Sequence, residues 1–215
     1  MTLTAQHIKN ELANSISHGF GLLFGIISIP ILIGFSISQE SISGIVGVSI
    51  YGFSFLMVYT FSTLYHSIKI PKVTEVLRTL DHISIYFLIA GSYTPFILIY
   101  FLTPAGITIL SILWGLTLLG IVFKIFFTQK YNYLSTIIYL LMGWILVFAP
   151  ESFLDNLPAS SFILLCVGGG LYTLGVVFYL WEKLPYNHAI WHIFVLAASI
   201  CHYVAILMSI ITLQA

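Results

Sequence analysis

Two histidines four residues apart, His188 and His192, open the last apolar stretch of the chain. Four residues advance a helix by about 400°, so both imidazoles leave the same side and can point at one metal ion. The pair needs a third ligand from elsewhere, and His66 is the candidate. Three protein nitrogens leave a fourth tetrahedral position for water, the pattern of a catalytic zinc; a structural zinc has four protein ligands. Water on such a zinc ionises near neutral pH and becomes a nucleophile. Zinc peptidases with a His-Glu-x-x-His helix carry their acid–base Glu after the first His, where this chain has Ala189. The proton acceptor must therefore come from another segment, and Asp81 is the expected base. Ser62, one turn before His66, is expected to hydrogen-bond a substrate oxygen or to steady the site.

The elements that would position these groups are membrane spans. The chain has 215 residues, 60% hydrophobic and 7% charged, with mean hydropathy +1.07. Soluble domains carry about 25% charged residues. Long apolar runs recur, each able to cross roughly 30 Å of hydrocarbon. The expected fold is all-α, a single seven-helix transmembrane domain over residues 1–215 with a cytoplasmic amphipathic tail over 1–15. The spans are placed at about 16–37, 43–66, 81–101, 107–127, 133–148, 160–181 and 187–213. A polar connection covers 67–80, a tight turn 103–106, and a loop with two prolines 149–159. The first span is too long for a signal-peptide core and is expected to be retained. Cys166 and Cys201 fall inside apolar runs and read as buried small residues. The formal net charge is zero, and no basic face suggests nucleic acid.

Charge supports the span count. Lys9, Lys69, Lys72, Arg78, Lys124, Lys130 and Lys183 are all the basic residues. Seven spans put every one on the same side, leaving Glu40, Glu151 and Asp155 on the other. Positive residues stay cytoplasmic, so the N-terminus is expected inside and the C-terminus outside. On this topology His18, His66, Asp81, His82, His188 and His192 share the cytoplasmic level. Ionisable groups near hydrocarbon are costly and face the bundle interior, where they pair or bind something.

Other roles are open to several of these residues. The His pair alone is compatible with facing lipid headgroups. Asp81 is also placed to cap the third span. His82 points about 100° away from Asp81 and suits an interface or supporting role. His18 suits packing or hydrogen bonding, and Ser62 is a common small membrane-helix residue. His202 lies about 15 Å deeper than His192 at helical rise, too far for the same metal, and suits the cavity wall. Gly168-Gly169-Gly170 reads as close helix packing, not a phosphate loop.

The motifs Ser62-x-x-x-His66, Leu80-Asp81-His82 and His188-Ala-Ile-Trp-His192, followed by Ala-Ala-Ser-Ile-Cys-His202, resemble those of the progestin and adipoQ receptor family. The chain is most similar to the bacterial branch, the hemolysin III or membrane homeostasis proteins. Glu11-Leu-Ala-Asn14-Ser-Ile-Ser17-His18-Gly19 resembles that branch's N-terminal motif. The resemblance covers nearly the whole chain. It implies seven helices in the bacterial plasma membrane, zinc at the positions matching His66, His188 and His192, and a carboxylate matching Asp81 that contacts the zinc-bound water. The family also resembles alkaline ceramidases, and both are grouped as metal-dependent membrane hydrolases. The animal receptors' large cytoplasmic N-terminal domain has no counterpart here, so hormone reception does not carry over. The hemolysin label describes a phenotype, not a chemistry.

The expected function is zinc-dependent hydrolysis of lipid amides or esters, linked to membrane lipid homeostasis. Membrane lipids are the expected partners, with substrate entering laterally from the bilayer. A membrane-state sensor with structural zinc is the alternative; it would keep the ligands but tolerate Asp81→Asn. A pore-forming hemolysin would need a continuous polar face, and spans four to six offer little ionisable lining beyond Lys124.

Overall fold

The computed structural model describes residues 5–128 and 130–214. Helix is the only regular secondary structure among them. The helices are α1 (Ala5–Ser38), α2 (Ile42–Ser67), α3 (Pro71–Tyr100), α4 (Pro104–Phe127), α5 (Asn132–Gly143), α6 (Glu151–Asn156), α7 (Ala159–Leu180) and α8 (Asn187–Ile211). Six of them (α1, α2, α3, α4, α7 and α8) are long and apolar enough to cross a membrane. Large apolar side chains cover the outside, Phe126 at 74% and Phe148 at 82% exposure among them. On a water-soluble monomer such a surface would be a liability; against lipid it is the solvent-facing surface. The chain is a multi-pass membrane protein.

Local chemistry sets the helix ends. Ser41 and Thr103 cap α2 and α4, accepting from the backbone N–H of Gly44 at 3.0 Å and Gly106 at 3.3 Å. Pro71 begins α3 at the first helical position, where a missing N–H costs nothing. This corrects the expected polar connection over 67–80: only residues 68–70 are non-helical, and α3 extends about 15 Å before Asp81. Lys72, Glu75 and Arg78 make that extension polar because it is suited to water, not because it is a loop. Asp81 therefore sits inside a helix and does not cap one. At the other end of the chain, residues 5–15 of the expected tail are helical and continuous with the first span; residues 1–4 lie outside the described residues.

The fifth expected span is also different. α5 has 12 residues and passes into a four-residue 3-10 turn, Ile145–Phe148. Together they extend about 26 Å, short of a full-length span. The break lies at Trp144, whose indole N–H donates to Thr173 Oγ1 of α7 at 2.9 Å.

Neighbouring helices close a ring, α1–α2–α3–α5–α7–α8, with α8 packed back on α1 and α4 packed on α3. One apolar core joins α1, α2, α7 and α8 through Leu32, Phe55, Tyr59, Leu165, Val195 and Ile206. A second joins α3, α4 and α5 through Tyr86, Tyr93, Leu113 and Met142. Gly47 allows α2 to touch α3: a Cβ there would lie 2.6 Å from the Cα of Pro95. Inside the ring is a cavity walled by α3, α5, α7 and α8.

Candidate metal centre

His66 is in the last turn of α2, and His188 and His192 are in the first two turns of α8. The packing of these helix ends brings one nitrogen of each ring within 4.8 Å of the others. The ring centroids are 5.1 Å apart for His66 and His188, 5.2 Å for His66 and His192, and 4.5 Å for His188 and His192. His66 and His192 are buried, and His188 is partly buried. This group could hold a metal ion.

The surroundings of His66 and His192 indicate which nitrogen those two rings present. His66 Nδ1 faces the Glu11 carboxylate at 3.4 Å. His192 Nδ1 faces the backbone carbonyl of Asn14 at 3.2 Å and the Ser17 hydroxyl at 3.1 Å. A carboxylate and a carbonyl only accept, so both Nδ1 atoms donate, and each Nε2 carries a lone pair. The Nε2 of His66 is buried with no hydrogen-bond partner. A buried acceptor left bare is costly, and a metal ion at the meeting point of the three rings would satisfy it. Donor type, tautomer and burial all fit a borderline-soft divalent ion such as zinc.

Helix α1 supplies these outer partners. Glu11, Asn14 and Ser17 lie at helical spacing on the side of α1 that faces α2 and α8. Glu11 is anchored in turn by Lys69 at 2.5 Å. The Asn14 amide nitrogen also lies 3.4 Å from His66 Nδ1, but as a donor it cannot accept the proton that Nδ1 gives to Glu11. In sequence these residues stand out only as part of the N-terminal motif, with no role attached. Their period of three to four residues ahead of an apolar run was the available signal.

Asp81 of α3 is buried beside the group, with the Ser62 hydroxyl turned toward its carboxylate. His18 stacks on His192 with 3.5 Å between centroids and meets Tyr59 edge-on at 5.0 Å; neither of its nitrogens has a hydrogen-bond partner. His82 gives its backbone carbonyl to the Tyr139 hydroxyl and leaves Nδ1 bare. His202 is not part of this cluster and sits deeper in the cavity wall. Lys124, read from sequence as a marker of the cytoplasmic end, is buried and also lines the cavity. Among the described residues no carboxylate lies within ion-pair distance of it.

Two spaces meet at the histidines. The first is the cavity inside the ring, mostly apolar, reaching from His188 past Leu88 and Val195 to His202. The second is a polar vestibule lined by Asn10, Glu11, Arg78, Tyr186 and Asn187. Asp81, His82, Asn132, Tyr179 and His188 line both.

This architecture can be set beside known proteins. The profile of the haemolysin-III-related family matches residues 6–203. The chain belongs to that family. It is 45% identical to "Hemolysin-3" of Bacillus cereus over 211 residues, covering 98% of this chain and 96% of that protein. It is 46% identical to the "Hemolysin-3 homolog" of Bacillus subtilis (strain 168), covering 93% of this chain and 94% of that one. It is 32% identical to the human "Monocyte to macrophage differentiation factor", covering 73% of this chain and 67% of that protein. No solved structure matches. These similarities agree with the resemblance to the bacterial branch of the progestin and adipoQ receptor family and with a multi-pass protein of the cell membrane.

Proposed function

We propose that the protein is a zinc-dependent hydrolase of lipid amides or esters, with its N-terminus and metal group at the cytoplasmic side. One observation carries this reading: the three histidines and Asp81 stand where an apolar cavity meets a polar vestibule. An amphiphile laid across that junction has its tail in the cavity and its polar end in the vestibule. Its head-to-tail linkage then falls at the histidines.

Zinc held by His66, His188 and His192 supplies Lewis-acid chemistry, polarising water and an acyl carbonyl. The remaining work belongs to the chain. The Asp81 carboxylate accepts the proton of the attacking water and returns it to the leaving amine or alcohol. Ser62 keeps that carboxylate oriented. The leaving group departs into the vestibule, and the buried ammonium of Lys124 offers the acyl carboxylate a counter-charge. Substrate enters between α5 and α7, where cavity-lining Trp144 is 39% exposed on the membrane-facing surface.

The test is incubation of the zinc-loaded protein with a total lipid extract. The expected result is loss of a lipid amide or ester with release of fatty acid, abolished by Asp81→Asn with zinc retained. A fully zinc-loaded protein that turns over nothing, and whose physiological output survives Asp81→Asn, supports the sensor reading instead.

A further inference from the structure

The deep end of the cavity holds a polar group that the hydrolytic reading does not use. His202 lies on α8 ten residues beyond His192, about 15 Å further along the helix. That depth is well inside a hydrocarbon layer of roughly 30 Å. Its side chain is 8% exposed and forms part of the cavity wall. Neither ring nitrogen makes a hydrogen bond, although the Leu165 carbonyl of α7 lies beside the ring. The polar neighbours are committed elsewhere. Tyr172 meets the ring edge-on at 5.5 Å, but its hydroxyl is paired with Ser199 Oγ at 2.7 Å. Ser199 also accepts from the Tyr59 hydroxyl at 2.9 Å.

The ring is seated by design of the backbone. Gly168 of α7 faces it, and a Cβ at that position would overlap the imidazole. Leucine would fill such a notch without polar cost. An imidazole that makes no hydrogen bond at this depth is unfavourable. A group arriving through the cavity would offset that cost, and the cavity connects His202 to the histidine cluster.

We infer that this cavity selects an acyl chain bearing a hydroxyl near its twelfth carbon, with His202 as the residue that reads it. A neutral imidazole presents one donor and one acceptor, and a hydroxyl matches either. An extended chain advances roughly 1.25 Å for each carbon–carbon bond of about 1.5 Å, so about twelve bonds cover the 15 Å from the metal group. The inference rests on the cavity holding the acyl chain of the proposed substrate, but not on turnover.

The experiment measures binding of octadecanoate and its hydroxylated analogue, substituted near the twelfth carbon, to the zinc-loaded full chain in lipid nanodiscs. The hydroxylated acid is expected to bind roughly five- to tenfold more tightly, the effect of one net hydrogen bond. His202→Leu should erase that preference while retaining affinity for the plain acid. His202→Gln, which keeps a donor and an acceptor, should restore part of it. Equal affinity of the wild type for the two acids, as a water held on His202 would produce, overturns the inference and leaves the cavity reading intact. Binding of neither acid removes both.

Discussion

Glu11→Ala isolates the contribution of α1 to the metal site. Glu11 is 55 residues in sequence from His66, the nearest of the three histidines, and its carboxylate faces that ring only at Nδ1, at 3.4 Å. Losing an outer acceptor of a metal-bound imidazole weakens metal affinity about 10–100-fold, or about 1.4–2.7 kcal/mol. The structure puts this case near the lower end, since 3.4 Å is a long contact. About a tenfold loss of zinc affinity is expected, read by competition with a chelator of known affinity. Glu11→Gln keeps an acceptor oxygen and should lose less. Lys69→Ala removes the anchoring ion pair, but Lys69 is 42% exposed, and such a pair contributes little; the expected change is under about threefold. Were Glu11→Ala to leave zinc affinity within twofold of the wild type, while His66→Ala abolishes binding, the tautomer argument would be wrong.

Four further outcomes follow from the same geometry. His188→Ala and His192→Ala should each remove stoichiometric zinc, measured as metal per purified chain. Asp81→Asn should retain zinc and lower lipid turnover by about 100-fold or more; unchanged turnover would assign the proton to another group. Lys124→Met should raise the unfolding temperature, because an unpaired buried cation is replaced by an apolar side chain, and should weaken fatty-acid binding in the same preparation. Gly47→Ala should destabilise the fold by about 1–3 kcal/mol, since the added methyl meets the backbone of Pro95 and no flexible side chain can yield; thermal unfolding in detergent measures it.

The histidine triad was legible because two independent signals met on it. The four-residue spacing aimed His188 and His192 together, and the distribution of basic residues brought His66 to the same level. Asp81 followed from depth alone. The helix that carries Asp81 is longer than its sequence suggests, because polarity over 67–80 looks like a loop although Pro71 marks a helix start. The break at Trp144 coincides with a bond to Thr173 of another helix, which no local pattern announces. The hold on His192 comes partly from the Asn14 main-chain carbonyl, a contact any residue type could supply. Lys124 illustrates a limit of counting charge: basic residues report sidedness, but not whether the side chain faces water, headgroups or a cavity.

The bond between Asn14 and His192 joins residues 178 positions apart, and this imposes a clock on biosynthesis. At about 5–20 residues per second, roughly 10–35 s separate the emergence of α1 from that of its partner on α8. During that interval α1 stands in the bilayer with Asn14, Ser17 and His18 awaiting their counterparts, and His66 has only half of its final setting. If the three histidines hold zinc as proposed, metal capture is a terminal event of translation. On that proposal a chain that stalls before its last helix is left without the ion, and loaded metal would certify that the first and last helices have met.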